Sequence, residues 1–347
     1  MTIQHKDDQF LENFSAIQDL IPREMNVLQK MGLFDDVVFG TNDFAKFERR
    51  VTGADDMYSV ARGADRQVAG DDEAQTFTME VPYFTLDKSA RPSEVQNLRE
   101  FATSAEPLTV AKKLTQHVKR INTSHTRLDK KVMYTALKGS TYAIDKDGNP
   151  RANLTKTFQS MFEIPNAEMF NGALGGVKAY DLTDQALNPF DEFNTFRQHV
   201  IAKAKDGAAG GDEYELVMIV GSAAFNAIKN HTDVTDAFAN YTDGVSLRKR
   251  LGGLKNNRIF SFDGLVIMED LSGEIGTNDG YIFPIELVDF KLQYSPADLN
   301  GYENTVAEMS YLFLDEGRRK STIESETSFV ACNTRPELVG VYNFTTA

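Results

Sequence analysis

Five histidines (His5, His117, His125, His199 and His231) and one cysteine, Cys332, are the side chains best suited to metal binding or nucleophilic chemistry in this chain of 347 residues. No two of the histidines stand i, i+4, the spacing that puts two ligands on one helical face. His117 and His125 are eight apart, and an isolated histidine on a helix ordinarily serves packing or solvent. Cys332 falls in a β-rich tail with no histidine close in sequence, a poor setting for an activated thiol. Gly172 to Lys178 is glycine-rich without the P-loop spacing, and no G-x-S-x-G elbow occurs. Val220-Gly221-Ser222 could cradle an anion where a strand gives way to a helix, but any α/β junction has that appearance. Asp145-Lys146-Asp147-Gly148-Asn149-Pro150 lacks the further oxygen ligands and closing Glu of a calcium loop, so a turn is expected there. Acids are plentiful, yet none forms a recognisable pair. The expectation is no catalytic residue, no metal site and no cofactor.

One constellation remains, and it is electrostatic. Residues 108–138 carry eight Lys or Arg against the single acid Asp129, a charge of +7 inside a chain whose total is -14, so the rest holds -21. Lys112, Lys113, Lys119, Arg120, Arg127, Lys130 and Lys131 form a basic stripe that fits either a solvated helix face or a surface turned toward a polyanion. The acidic total argues against a dedicated nucleic-acid binder, whose footprint is a basic surface, and opposes nonspecific sticking.

The stripe needs a rigid element to carry it. Ala111, Leu114, Val118, Ile121, His125, Leu128, Val132 and Ala136 recur on a 3.6-residue period, which predicts one long amphipathic helix from Pro107 to Gly139. Pro107 suits a first helical position, and Gly139 supplies the left-handed residue that closes a helix. Such a rod acts as a spine along which sheets are laid.

Around it, the chain is long enough for two or three compact units, with 41% hydrophobic and 10% aromatic residues, mostly Phe, to fill a core. A lone cysteine excludes a disulfide framework and points to a reducing compartment. Met1 to Asp8 has no signal-peptide character, and the longest apolar stretch, Leu216–Val220 running into Ala223–Phe225, is too short to span a bilayer.

Residues 9–31 predict two short helices, Phe10, Phe14 and Ile17 on the first and Met25 and Leu28 on the second, with a stop at Gly32. Val37 to Phe47 reads as extended. Glu48 to Glu73 holds seven acids, four Arg and three Gly, too little apolar surface to offset ordering entropy alone. Phe77, Met79 and Val81 alternate with polar residues just after it, so two strands flank a polar excursion as a β-arm. Ser140–Ile144 and Asn153–Phe158 predict a hairpin, and 166–187 is expected to be irregular. A helix follows from Asn188-Pro189, with Phe190, Phe193, Phe196, Val200 and Ile201 on one face. Then come a strand to Val220, helices over 222–229 and 232–240, and a hairpin of Arg258–Phe262 with Leu265–Glu269. Gly207–Gly211 and Leu271–Gly280 read as loop tips. The strands from Met309 onward are expected to pack back on the first body, which makes the second an insertion.

This order resembles the tailed-phage major capsid proteins, most nearly the lambda major head protein family of the capsid protein E type, with the Hong Kong 97-like fold. Leu20-Ile21-Pro22 through Leu33-Phe34 resembles the family's opening arm. Met133 to Gly139 followed by Ile144-Asp145-Lys146-Asp147-Gly148 resembles its helix end and hairpin. Val217 to Phe225 is similar to its central strand and helix, and Phe262-Asp263-Gly264-Leu265-Val266-Ile267 to the hairpin beyond. The resemblance spans Leu20 to Tyr342, rests on the order of these segments, and departs in a longer early acidic loop with fewer aligned glycines.

The resemblance implies an α+β fold with an N-terminal arm over 1–47 and an extended loop over 48–95. It implies a peripheral domain over 96–165 plus 302–347 and an inserted axial domain over 166–301. It further implies a structural, non-enzymatic protein that assembles with itself into pentamers and hexamers of an icosahedral shell around double-stranded DNA. Scaffolding, portal and decoration proteins would be its partners, with no membrane. It would be located in the virion after assembly in the host bacterial cytoplasm. Because the chain opens almost directly on the arm, a separate scaffold or none is expected. Two alternatives stay open: an encapsulin-like compartment shell, since architecture does not fix cargo, and a cytosolic enzyme with a site among the acids of the 166–301 body.

Overall fold

The computed structural model describes residues 11–13, 25–51, 73–95, 110–170, 177–204, 214–239, 258–262, 264–299, 301–302, 304–316 and 320–346. The helix start at Pro107, the apolar pattern of Phe14 and Ile17, the excursion over 52–72 and the tip at Gly207–Gly211 lie outside the described residues.

Among the described residues the first elements are β1 (Leu11–Asn13), α1 (Val27–Lys30), β2 (Asp36–Phe39) and β3 (Phe44–Val51). There follow β4 (Glu73–Glu80), β5 (Tyr83–Thr85), β6 (Lys88–Ala90) and α2 (Pro92–Val95). The spine helix is α3 (Val110–Leu137), 28 residues and about 42 Å long. Its predicted inner face is the buried one: Ile121, His125, Val132 and Ala136 are all enclosed. Gly139 sits at φ +89°, the left-handed turn that ends the helix. Beyond it lie α4 (Phe158–Met161), β7 (Val177–Asp181), α5 (Pro189–Ala204), β8 (Leu216–Val220), α6 (Ser222–Asn230) and α7 (Thr232–Ala239). The remaining strands are β9 (Ile259–Phe262), β10 (Leu265–Glu269), β11 (Asp279–Pro284), β12 (Phe290–Tyr294), β13 (Tyr311–Glu316), β14 (Ser321–Asn333) and β15 (Gly340–Thr345).

These strands make two large sheets and a ribbon. One sheet has the order β1-β13-β14-β12-β2, with β5 and β6 also on β14; the second runs β7-β15-β11-β8-β10-β9; β3 and β4 pair alone as the arm. The N-terminal half of the spine helix lies on the first sheet through Ile121, Leu312, Leu314 and Ile323. Its C-terminal end, with Val132, Met133 and Leu137, reaches the second sheet at Val217, Ile219, Val266 and Met268. The alternate residues Met218, Val220 and Ile267 face Phe193, Phe196 and Val200 of α5 and Ala224, Phe225 and Ile228 of α6. Burial on both faces is why Leu216–Val220 and Leu265–Met268 read as unbroken apolar runs. The root of the arm joins the same core through Ala45, Phe47 and Met79.

Several expectations are corrected. Leu11–Asn13 is a strand on the edge of β13, not part of a helix, because it completes an open sheet edge that local periodicity does not see. The region 140–158 has only the isolated bridges Ser140↔Thr157 and Ile144↔Pro150, not a regular hairpin. Val177–Asp181, expected to be irregular, is a strand parallel to β15. Phe290–Tyr294 pairs with β14 and β2 in the first sheet, and Gly340–Thr345 pairs with β7 and β11 in the second.

Candidate assembly and nucleic-acid surfaces

The side chains that invited a catalytic reading are absorbed by packing. His125 Nε2 lies 2.6 Å from Ser325 Oγ and fixes the helix to β14. His199 Nε2 meets the Glu337 carbonyl at 3.0 Å. His117 and His231 are buried, and burial, then Lys113 and Arg120, hold the His117 imidazole below its ordinary value. Cys332 is buried and burial pushes its thiol up, away from the reactive thiolate. The Asp145 carboxylate accepts the amides of Asp147 at 2.9 Å and Asn149 at 2.8 Å, which is turn chemistry rather than metal ligation. At the Gly221 junction the first amides of α6, Ala223 and Ala224, both donate to the Thr277 carbonyl at 3.1 Å, so the chain itself fills that anion position. Among the described residues no group of three or more His, Cys, Asp or Glu is placed to hold a metal ion, and no helix is long and apolar enough to cross a membrane. A cleft of about 320 Å³ is lined by Lys131, Thr135, Thr141, Tyr142, Ile144 and Glu274, without a paired acid and base.

The basic stripe divides into three groups. Lys119, Arg120 and Arg127 stand exposed on the helix, and no ion pair engages them among the described residues. Lys113 is spent on Glu94, and Lys130 donates to the Ser272 carbonyl at 2.9 Å. Lys112 and Lys131 are half-buried.

The segment expected to be a free tip, Leu271–Gly280, is docked instead. The buried Asp270 accepts from Tyr134 Oη at 3.1 Å and from the amides of Ser272 at 2.9 Å and Ile275 at 3.0 Å. Lys138 Nζ donates to the Glu274 carbonyl at 2.6 Å, and Ile275 enters the core. Its polar sequence matches a tip because its partners are helix side chains about 140 residues away in the chain, a relation no local pattern carries. The buried contact of Arg49 Nη2 with Glu337 Oε1, 3.3 Å across the arm root, was equally invisible.

The first sheet separates opposite charges. The spine helix covers one face. On the other, Glu324 and Glu326 stand cross-strand from Phe313 and Tyr311, near the exposed Asp87, Asp298 and Asp315. Burial first, then the charges of Asp298, Glu324 and Asp87, raise the Glu326 carboxyl above its ordinary range, while the Tyr83 hydroxyl bond opposes them. A carboxyl raised in the folded state is a penalty at neutral pH that disappears as pH falls below the unfolded value, about 4.3. Glu326→Gln is therefore expected to raise the unassembled subunit's unfolding midpoint at pH 7, with the gain fading toward pH 4. An unchanged midpoint at pH 7 would refute it.

Comparison with known proteins places this architecture. The chain is 21% identical to the major capsid protein of Salmonella phage Felix O1 (isolate Felix O1-VT1), over 98% of this chain and 97% of that one. It shares its fold with a structure assigned as a capsid protein of an E. coli CFT073 prophage, at TM-score 0.54, 9% identity, and 96% and 99% coverage of this chain and that. The capsid of a native GTA particle aligns at TM-score 0.51 and 12% identity, covering 94% and 93%. The sequence profile of the family described as phage major capsid protein E matches residues 16–338, and the chain belongs to that family.

Proposed function

We propose that this chain is a self-assembling head subunit whose copies close into pentamers and hexamers of an icosahedral shell around packaged double-stranded DNA. It is a structural protein of the virion and not an enzyme. The observation that carries the reading is the family match over 16–338. The arm, the spine and the two sheets fit it: head-to-tail contacts close into rings, and obligate interfaces bury on the order of 2,000 Å² or more. In this reading the first sheet with the spine helix is the peripheral unit, and the second sheet with α5 to α7 is the axial unit. The N-terminal arm and the extended loop reach neighbouring copies. Assembly takes place in the host bacterial cytoplasm, with scaffold, portal and decoration proteins as partners. Light scattering and negative-stain microscopy of the expressed protein, with and without a scaffold, should show closed particles; a strictly monomeric species under every condition overturns it.

Lys119, Arg120 and Arg127 are the stripe residues best suited to face DNA, and any such attraction is sequence-independent and salt-sensitive. Changing all three to Glu should leave particle yield intact and lower the DNA retained. It should also reduce the salt slope of DNA binding by roughly 1 for each phosphate no longer neutralised. Unaltered retention at 50 and 200 mM salt would mean the stripe is only solvated.

A further inference from the structure

Eleven large apolar side chains stand exposed among the described residues, and six of them gather at one place, the rim of the first sheet at the root of the arm. They are Val38 and Phe39 of β2, Phe44 of β3, Tyr83 of β5, and Val306 and Met309 ahead of β13. Backbone bonds tie these stretches together. Gly40 donates to the Tyr294 carbonyl at 2.9 Å and accepts from Ala307 at 2.9 Å, while Val81 donates to the Asp43 carbonyl at 2.8 Å. Thr327 Oγ1 donates to the Met309 carbonyl at 2.8 Å, and its neighbour Ser328 stands opposite Tyr83.

β2 is the outermost strand of its sheet, paired only with β12 among the described residues. Successive residues point to opposite faces, so Val38 and Phe39 flank that open edge on both sides. Its one charged residue, Asp36, stands at the start of the strand, 3.7 Å from Lys291 Nζ, so the rest of the edge, without proline and bordered by apolar side chains, is a template for another strand. Summed over both sides of that edge, the six side chains expose on the order of 500 Å². That is more than half of the ~800 Å² per partner in a stable interface. Each copy carries -14, so copies repel at long range and cohesion must come from apolar and backbone contacts.

We infer that this rim is an intersubunit surface, and that its occupant is an extended segment of a second copy laid along β2. The inference rests on the shell reading and deepens it by naming the surface. The test compares wild-type protein with Val38→Lys/Val306→Lys and with Leu187→Lys, an exposed apolar position outside the rim. Sedimentation and negative-stain microscopy read particle yield, and circular dichroism reads the melting midpoint of the unassembled subunit. The rim variant should lose particles at least tenfold with its midpoint moved by less than ~2 °C, while Leu187→Lys assembles as wild type. In wild-type particles the amides of residues 36–39 should also exchange at least tenfold more slowly than in the unassembled subunit, a measurement that needs no variant. Normal yield from the rim variant, or no added protection on assembly, overturns the inference and leaves the shell reading standing. A midpoint lowered by many degrees means the rim is covered by its own chain and also overturns it. Wild-type protein that never forms particles removes the shell reading itself.

Discussion

Gly221→Ala is expected to remove about 4 kcal/mol or more from subunit stability, enough to abolish soluble expression of a protein of ordinary stability. A β-carbon at residue 221 would lie 2.0 Å from the Gly276 carbonyl oxygen and 2.5 Å from the Thr277 carbonyl carbon and oxygen. All of these are backbone atoms, so no side-chain rotation relieves the overlap. The 276–279 segment must move, and it holds the junction by three bonds. Gly221 donates to the Asp279 carbonyl at 2.9 Å, and Ala223 and Ala224 donate to Thr277. Losing them exposes the start of α6 and uncouples β8 from the turn into β11. Ser222→Ala, at an exposed position one residue on, should change stability by less than ~0.5 kcal/mol. Chemical denaturation of both variants is the check, and a Gly221→Ala midpoint close to wild type would show that the loop is not packed as described.

The docked loop gives the second large effect. Asp270→Ala removes the acceptor for three donors, Tyr134 Oη and the amides of Ser272 and Ile275. Hydrogen bonds to a charged group contribute ~1.5–3 kcal/mol each, and a buried donor left without a partner costs about 1–3. The contributions overlap, so a loss of about 3 kcal/mol is expected for Asp270→Ala. Tyr134→Phe removes one donor and keeps both amide contacts, and about 1 kcal/mol is expected. Burial first and the Asp270 charge next raise the Tyr134 phenol, which therefore stays protonated and donating at all ordinary pH. A double-mutant cycle should give non-additivity of at least ~0.5 kcal/mol, since the residues share one contact. Strict additivity in denaturant melts would show that the two groups do not meet.

Much of the scaffold was legible because its information is local. Asn188 and Pro189 announce α5, where Asn188 Oδ1 accepts the Phe190 amide at 3.0 Å, and Phe193, Phe196 and Val200 bury as their spacing predicts. The β9–β10 hairpin follows from two apolar runs separated by two turn residues. The arm follows from the alternation of Phe77, Met79 and Val81 around a stretch too polar to fold alone. The basic residues were legible as a stripe, but not which of them pair with other described residues. Lys113 and Lys130 differ from Lys119 and Arg127 only through Glu94 and Ser272, which approach from elsewhere in the chain.

By itself, then, the sequence determined the long basic helix, the elements on either side of it, the absence of any recognisable catalytic constellation, and the family likeness carried by segment order. Each of these depends on periods of two or 3.6 residues, or on turn chemistry within a few positions. Only the tertiary structure decided that Leu11–Asn13 is a strand, that Leu271–Gly280 clasps the spine, and that β12 and β15 belong to different sheets. An edge strand takes its conformation from the neighbour that satisfies its amides and carbonyls, and a polar loop takes its position from the buried carboxylate and lysines that meet its backbone. Those partners lie tens to hundreds of residues away, where no local period reaches.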